Sequence, residues 1–276
     1  MTQVTAAAVS DRVPILVYHS IREDPHPYIR SFTVPPRTFA RHLDLIEAAD
    51  LTPLTVSQFA TMRQDGCLPD RPVLITFDDG WADTLTAALP QLHQRGMAAT
   101  LYVTTGFMRD GRGATRICAP ASAALQWADL HHLVAGGFEL GAHSVSHPEL
   151  DAVPRHVARS EITDSRRELE DHLGHRIESF AYPHGYHDRA VRAMVAAAGF
   201  TSACLVKNAL ASRHDDPMAL ARILVRSDTS LDTMRSWLQG QGAPVDDRRD
   251  HWRTQLWRSY RRGRALVLPS LSVGRP

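Results

Sequence analysis

Cysteine is scarce in this chain. Cys67, Cys118 and Cys204 are odd in number, far apart and at no metal-binding spacing, which excludes a disulfide framework and a cysteine-built zinc module. Small buried thiols in a reducing compartment are the expectation. Long apolar runs are missing as well: nothing approaches the roughly eighteen apolar residues that a membrane-spanning helix needs. The first twelve residues, MTQVTAAAVSDR, lack a basic start followed by an apolar stretch. No secretory signal is therefore expected, and a cytoplasmic location is. Internal repeats and low-complexity tracts are absent too.

Excess charge is missing from the main body. The formal net charge is +1, yet from Asp246 onward eight arginines face three aspartates. That leaves about +5 in the tail and about −4 in the rest. Enzymes of nucleic acid spread basic residues over their main domain, so no nucleic-acid partner is expected. The chain has 276 residues, 43% of them hydrophobic, enough to bury a core without covalent staples.

What is there is alternation. Short β-branched or apolar runs (VPILVY, PVLITF, AATLYV, FELGAH, IESFAY, TSACLV, ARILV) are separated by stretches of helical period. Phe39, Leu43 and Ile46 share one helical face, and Leu85, Ala88, Leu89 and Leu92 fall at i, i+3, i+4 and i+7. Further helices are predicted over 126–135, 154–172 and 188–198. This order predicts an α/β fold with strands inside and helices outside, whose active site lies at the C-terminal ends of the strands. Two segments break the pattern. Residues 108–124, rich in glycine, alanine and arginine, read as a surface loop. The tail 241–276 interleaves Trp252, Leu256, Trp257 and Tyr260 with arginines. It predicts an amphipathic helix that docks on a partner protein or an anionic membrane surface, or packs on the outside of the barrel.

Chemistry gathers at the strand ends. PVLITF runs into Asp78-Asp79-Gly80. A turn needs one aspartate; adjacent carboxylates repel, and the pair makes sense if one binds a cation and the other stays free as a base. FELGA leads to His143-Ser144-Val145-Ser146-His147-Pro148. Two histidines four apart can meet one metal, and Gly141 and Pro148 favour a loop over a regular helix. With Asp79 they complete a two-histidine, one-carboxylate set that leaves positions open for water and substrate. A third strand ends in Phe180-Ala181-Tyr182-Pro183-His184-Gly185, a sharp turn whose backbone N–H groups suit an oxyanion. The first strand, VPILVY, delivers His19.

In this order, Thr76-Phe77-Asp78-Asp79-Gly80, His143-Ser144-x-x-His147 and Phe180-Ala181-Tyr182-Pro183-x-Gly185 resemble the motifs of the polysaccharide deacetylase family, carbohydrate esterase family 4. Ala99-Thr100-x-Tyr102-Val103 and Trp127 ahead of Gly137-x-x-x-Gly141-x-His143 are similar to it too, and the likeness runs from about Val13 to Leu238. The resemblance implies a distorted (β/α)7 barrel over 13–240, a single domain followed by the basic tail 241–276. It also implies hydrolytic removal of N-acetyl groups from an amino-sugar-containing saccharide or glycoconjugate with a divalent metal, usually zinc. Carried onto this sequence, Asp79, His143 and His147 would hold the metal and Asp78 would be the general base. The backbone N–H of His184 would help to hold the oxyanion.

Three departures follow. The arginine that often orients the base in the third motif is replaced by Ala181, and Arg222 and Arg226 in ARILVRSD are both candidates for its charge. The aromatic residue that often follows proline there is His184. The late leucine-x-histidine strand that usually supplies the acid is missing. A permuted subgroup, including deacetylases of β-1,6-linked poly-N-acetylglucosamine, takes its acid from an N-terminal strand ending in Tyr-His, which VPILVYHSI resembles. His19 would then be the general acid. Two other classes stay open: a metal-dependent amidohydrolase acting on a small non-sugar amide, and a non-catalytic carbohydrate-binding barrel.

Overall fold

A computed structural model describes residues 11–25, 27, 29–110, 123–245, 260, 261 and 263. Eight strands share one curled sheet: β1 (Ile15–Tyr18), β2 (Thr52–Leu54), β3 (Pro72–Phe77), β4 (Ala99–Val103), β5 (Phe138–Ala142), β6 (Ser179–Ala181), β7 (Ser202–Cys204) and β8 (Ile223–Leu224). Their order is β7-β6-β5-β4-β3-β1-β8, with β2 also pairing β3, and every one of these pairings is parallel. At the ends of this path, Leu220 N donates to Ala203 O and Leu205 N to Leu220 O, at 2.9 and 2.8 Å. These bonds tie the segment before β8 to the run of β7, so the sheet curls round into a distorted (β/α)7 barrel. Parallel strands covered on both faces should be apolar throughout, and all six residues of β3 are buried.

The helices are α1 (Pro36–Ala48), α2 (Val56–Gln64), α3 (Leu89–Gln94), α4 (Asp129–Ala135), α5 (Arg155–Leu173), α6 (Arg189–Ala197) and α7 (Leu231–Leu238). Helix α1 buries Phe39, Leu43 and Ile46 as its period predicts, and His42 with them. The Tyr18 hydroxyl and His42 Nδ1 share a hydrogen bond of 3.1 Å, which locks the end of β1 against this helix. Helix α5 is mostly polar but buries Ala158, Ile162, Ser165 and Leu169 along one stripe. Gly141 in β5 has a packing reason: a Cβ there would lie 2.5 Å from the Tyr102 ring.

The structure corrects the sequence in three places. The helix carrying Leu85 to Leu92 opens with a π turn, Thr84–Ala88, in which Leu89 N donates back to Thr84 O. Pro90 has no N–H to continue the regular ladder and its ring crowds the carbonyl four residues earlier, so the turn widens. Ala88 and Leu92 are still buried. Strand β2 and helices α2 and α7, which the apolar pattern does not single out, are also present. The segment 108–124 is not simply a surface loop: Met108 and Ala124 are buried, and Arg109 Nε donates to Ala124 O at 2.7 Å. Its middle, 111–122, lies outside the described residues, as does the tail stretch 246–259 with Trp252, Leu256 and Trp257. No helix among the described residues is long and apolar enough to cross a membrane.

Candidate active site

Register brings the sequence motifs together. Tyr18 of β1 lies opposite Phe77 of β3, and Asp78 N donates to Tyr18 O at 3.0 Å. His19 and Asp78 therefore leave neighbouring strands at the same level. Beyond β4, His143 N donates to Val103 O at 2.9 Å, and Ala142 of β5 lies opposite Phe180 of β6. The loop 143–148 and the turn Pro183–Gly185 thus open at the same end of the barrel. The loop reading of the two-histidine motif holds: Ser144 and His147 have φ of 63° and 59°, a backbone that a helix does not allow.

Asp79, His143 and His147 converge. His143 Nε2 lies 3.7 Å and His147 Nε2 3.6 Å from Asp79 Oδ1, and the two Nε2 atoms are 3.2 Å apart. The nitrogen–oxygen separations exceed hydrogen-bond length. Ligands 2.0–2.2 Å from one tetrahedral zinc ion would stand about 3.3 Å apart, close to this triangle. His143 Nδ1 lies 2.8 Å from Ala181 O. A carbonyl only accepts, so Nδ1 carries the proton and Nε2 turns a lone pair toward the triangle. The donor set fits a divalent ion. Asp79 is held in this position by a left-handed backbone, φ 77°.

Asp78 is different. It is almost fully buried, and Arg222, which is fully buried, grips it in a fork: Nη1 to Oδ1 and Nη2 to Oδ2, each at 2.7 Å. Arg222 also donates from Nε to Leu205 O at 2.9 Å and from Nη1 to Thr76 Oγ1 at 3.1 Å, and its guanidinium lies over the Tyr102 ring. Burial by itself would raise the Asp78 pKa; the charge of Arg222, with help from His143 and His19, brings it below the ordinary carboxylate value. Arg226, the other arginine that the sequence offers, is exposed, pairs with Asp228 and covers Phe32. Arg222 is thus the one that contacts Asp78.

His19 is half-buried against the Phe32 ring, within electrostatic reach of Asp78, His147 and His184. Asp83 fixes the chain just after it by accepting from Ser20 Oγ at 2.7 Å and Ile21 N at 3.0 Å. His184 has φ 57°, and its ring packs 4.4 Å from that of His147. Burial, and then the neighbouring His143 and Arg261, lower its pKa to about 4, so its ring is neutral at pH 7. Gly185 follows with φ 75°, where a Cβ would lie 2.6 Å from Val206 N, so only glycine completes this turn.

Two supporting residues escape the sequence. Glu161 of α5 accepts from Val145 N, Ser146 N and Ser146 Oγ at 2.9, 2.8 and 2.6 Å, pinning the loop between the two histidines. Asp83 is the other. Neither stands in a recognisable pattern, because each acts across a distance that only folding closes.

Comparison with known proteins agrees with this geometry. A family model, Polysaccharide deacetylase, matches residues 65–203, half of the chain. YxkH of Bacillus subtilis (strain 168), named for the same family, is 24% identical over 229 residues, covering 83% of this chain and 76% of that protein. Among solved structures, the Streptococcus pyogenes deacetylase PplD in complex with acetate superposes with a TM-score of 0.73 at 24% identity, over 84% of this chain and 98% of that one. IcaB from Ammonifex degensii gives 0.70 at 22% identity, over 83% and 98%. These likenesses establish the shared fold, and the family match covers both carboxylates of the first motif, the two-histidine loop and the Tyr-Pro-His turn. The chain belongs to the polysaccharide deacetylase family.

Proposed function

We propose that this protein is a metal-dependent hydrolase that removes N-acetyl groups from an amino-sugar-containing saccharide or glycoconjugate, with a resemblance to the poly-N-acetylglucosamine deacetylases. The observation that carries this reading is a buried, arginine-forked carboxylate, Asp78, beside three convergent ligand atoms from Asp79, His143 and His147. Held by those three residues, a divalent ion, zinc by the character of its ligands, would polarise the acetyl carbonyl and acidify the attacking water. Asp78, kept ionised by Arg222, takes the proton from that water. The peptide N–H of His184, at a turn fixed by Pro183 and Gly185, donates to the oxyanion. His19 gives its proton to the amine nitrogen as the C–N bond breaks, so that acetate and a free amine leave.

A cytoplasmic location belongs to the same proposal, and it favours a soluble or precursor saccharide over a wall polymer. Acetate release by the purified, metal-loaded protein from a panel of N-acetylated oligosaccharides, nucleotide sugars and small non-sugar amides tests it. Release from saccharides supports the proposal. Turnover of the small amides alone would replace it with a general amidohydrolase, and saccharide binding without any release would make the barrel a binding module.

A further inference from the structure

Among the described residues beyond 245, Arg261 reaches the active site. Arg261 is 2% exposed although it lies beyond the barrel in sequence. Its Nη1 stands 3.1 Å from Glu149 Oε2 and 3.3 Å from Asp151 Oδ1, and Nη2 donates to Asp151 Oδ2 at 3.0 Å. The guanidinium carbon lies 3.6 Å over the Tyr186 ring, a cation–π contact. Glu149 follows His147 by two residues, and Tyr186 follows His184 by two. One guanidinium therefore joins the loop that carries a ligand candidate to the turn that carries the oxyanion donor. The His184 ring stacks on Tyr186 with centroids 5.8 Å apart and packs on His147 at 4.4 Å, which closes the circle.

We infer that Arg261 is a positioning residue of the active site, clamping the His147 loop to the His184 turn. The inference rests on the deacetylase reading for its catalytic consequence but not for its geometry. A buried carboxylate such as Asp151, 5% exposed, is strongly disfavoured without a partner. Arg155 brings a second positive charge into range of it, but the contacts to Glu149 and Tyr186 belong to Arg261. With the clamp removed, both loops keep their chain connections yet lose the cross-link that sets their spacing. Arg261 is then part of the catalytic wall although it lies beyond the barrel in sequence.

The test compares full-length wild type with Arg261→Gln and Arg261→Lys, using Co²⁺ as a spectroscopic probe of the His147 site and acetate release from an N-acetylated chitooligosaccharide as the activity. Arg261→Gln is expected to bind Co²⁺ with an altered visible spectrum. Its kcat should fall on the order of tenfold to a hundredfold, the scale of a misplacement near 1 Å, with KM changed far less. Lysine keeps the charge beside Asp151 but cannot span both carboxylates and the ring, so it should recover part of both losses. A folded Arg261→Gln with the wild-type spectrum and kcat, even at a lowered melting temperature, overturns the clamp. If that variant does not fold, Arg261→Lys decides by the same two readouts. A wild type that releases no acetate, with spectra that still differ between wild type and variant, sinks the deacetylase reading and leaves the clamp standing.

Discussion

Replacing Arg222 by methionine tests how the site is built. Methionine follows the same path through the core but offers neither charge nor donor. The loss includes the two charge-assisted bonds to Asp78 at 2.7 Å, each worth about 1.5–3 kcal/mol. Breaking a buried ion pair costs about 3–5 kcal/mol in its own right, because one charge is left without compensation. Both routes converge on about 4 kcal/mol, a loss that a protein of ordinary stability survives. With a urea m-value of about 3 kcal/mol/M, the unfolding midpoint should fall by about 1–2 M. Asp78 then either keeps an unpaired buried charge or takes up a proton and ceases to be a base. Either way turnover should drop about a hundredfold to ten-thousandfold. The double variant Arg222→Met/Asp78→Leu removes both charges together and should be more stable than Arg222→Met alone, though inactive. Urea titration followed by circular dichroism checks this. A single variant within about 1 kcal/mol of wild type, or strictly additive losses in the double, would refute the pairing.

Further outcomes follow from the same geometry. His143→Ala should bind metal well below stoichiometry by elemental analysis and lose activity, and full occupancy would remove the triangle as a metal site. His19→Ala should keep its metal but lose far more activity on an N-acetyl sugar than on an aryl acetate, since an amine leaving group needs the proton and a phenolate needs it less; equal losses would count against His19 as the acid. His42, fully buried on α1, has its pKa lowered by burial from 6.5 to about 4. Between those values the unfolded chain binds a proton that the folded one refuses, so stability is lost as pH falls from 6.5 toward 4. That difference is about 2–3 kcal/mol at pH 4.5. His42→Gln, which keeps a hydrogen-bonding group for Tyr18, should lose less stability than wild type between pH 7 and 4.5 in parallel melts. Identical acid sensitivity would show that His42 is not the group responsible.

The sequence by itself determined the architecture and which side chains gather at the strand ends. Strand and helix periods are local, and a parallel barrel sends every strand end to the same rim. His19, Asp78, Asp79, His143 and the Pro183 turn were therefore bound for the same rim, and the register between strands brought them level. The adjacent aspartates and the two-histidine loop could be read without coordinates, because repelling carboxylates and paired imidazoles have few structural uses. Helical detail around Pro90 was less legible, since the apolar period survives a widened turn. What only the tertiary structure decided were the partners that act across distance: Glu161 against the histidine loop, Arg261 between Glu149, Asp151 and Tyr186, and Arg222 on Asp78. Arg222 and Arg226 are four residues apart, so on an extended strand both point to the same side and alternation cannot separate them. They differ in height by about 13 Å at roughly 3.3 Å per residue. Arg222, at the foot of β8, sends its side chain past Thr76 to the underside of Asp78, while Arg226 is beyond the strand end, exposed against Phe32. Height along a barrel axis is set by the stagger between strands, which is a property of the closed sheet and is written in no single segment of the chain.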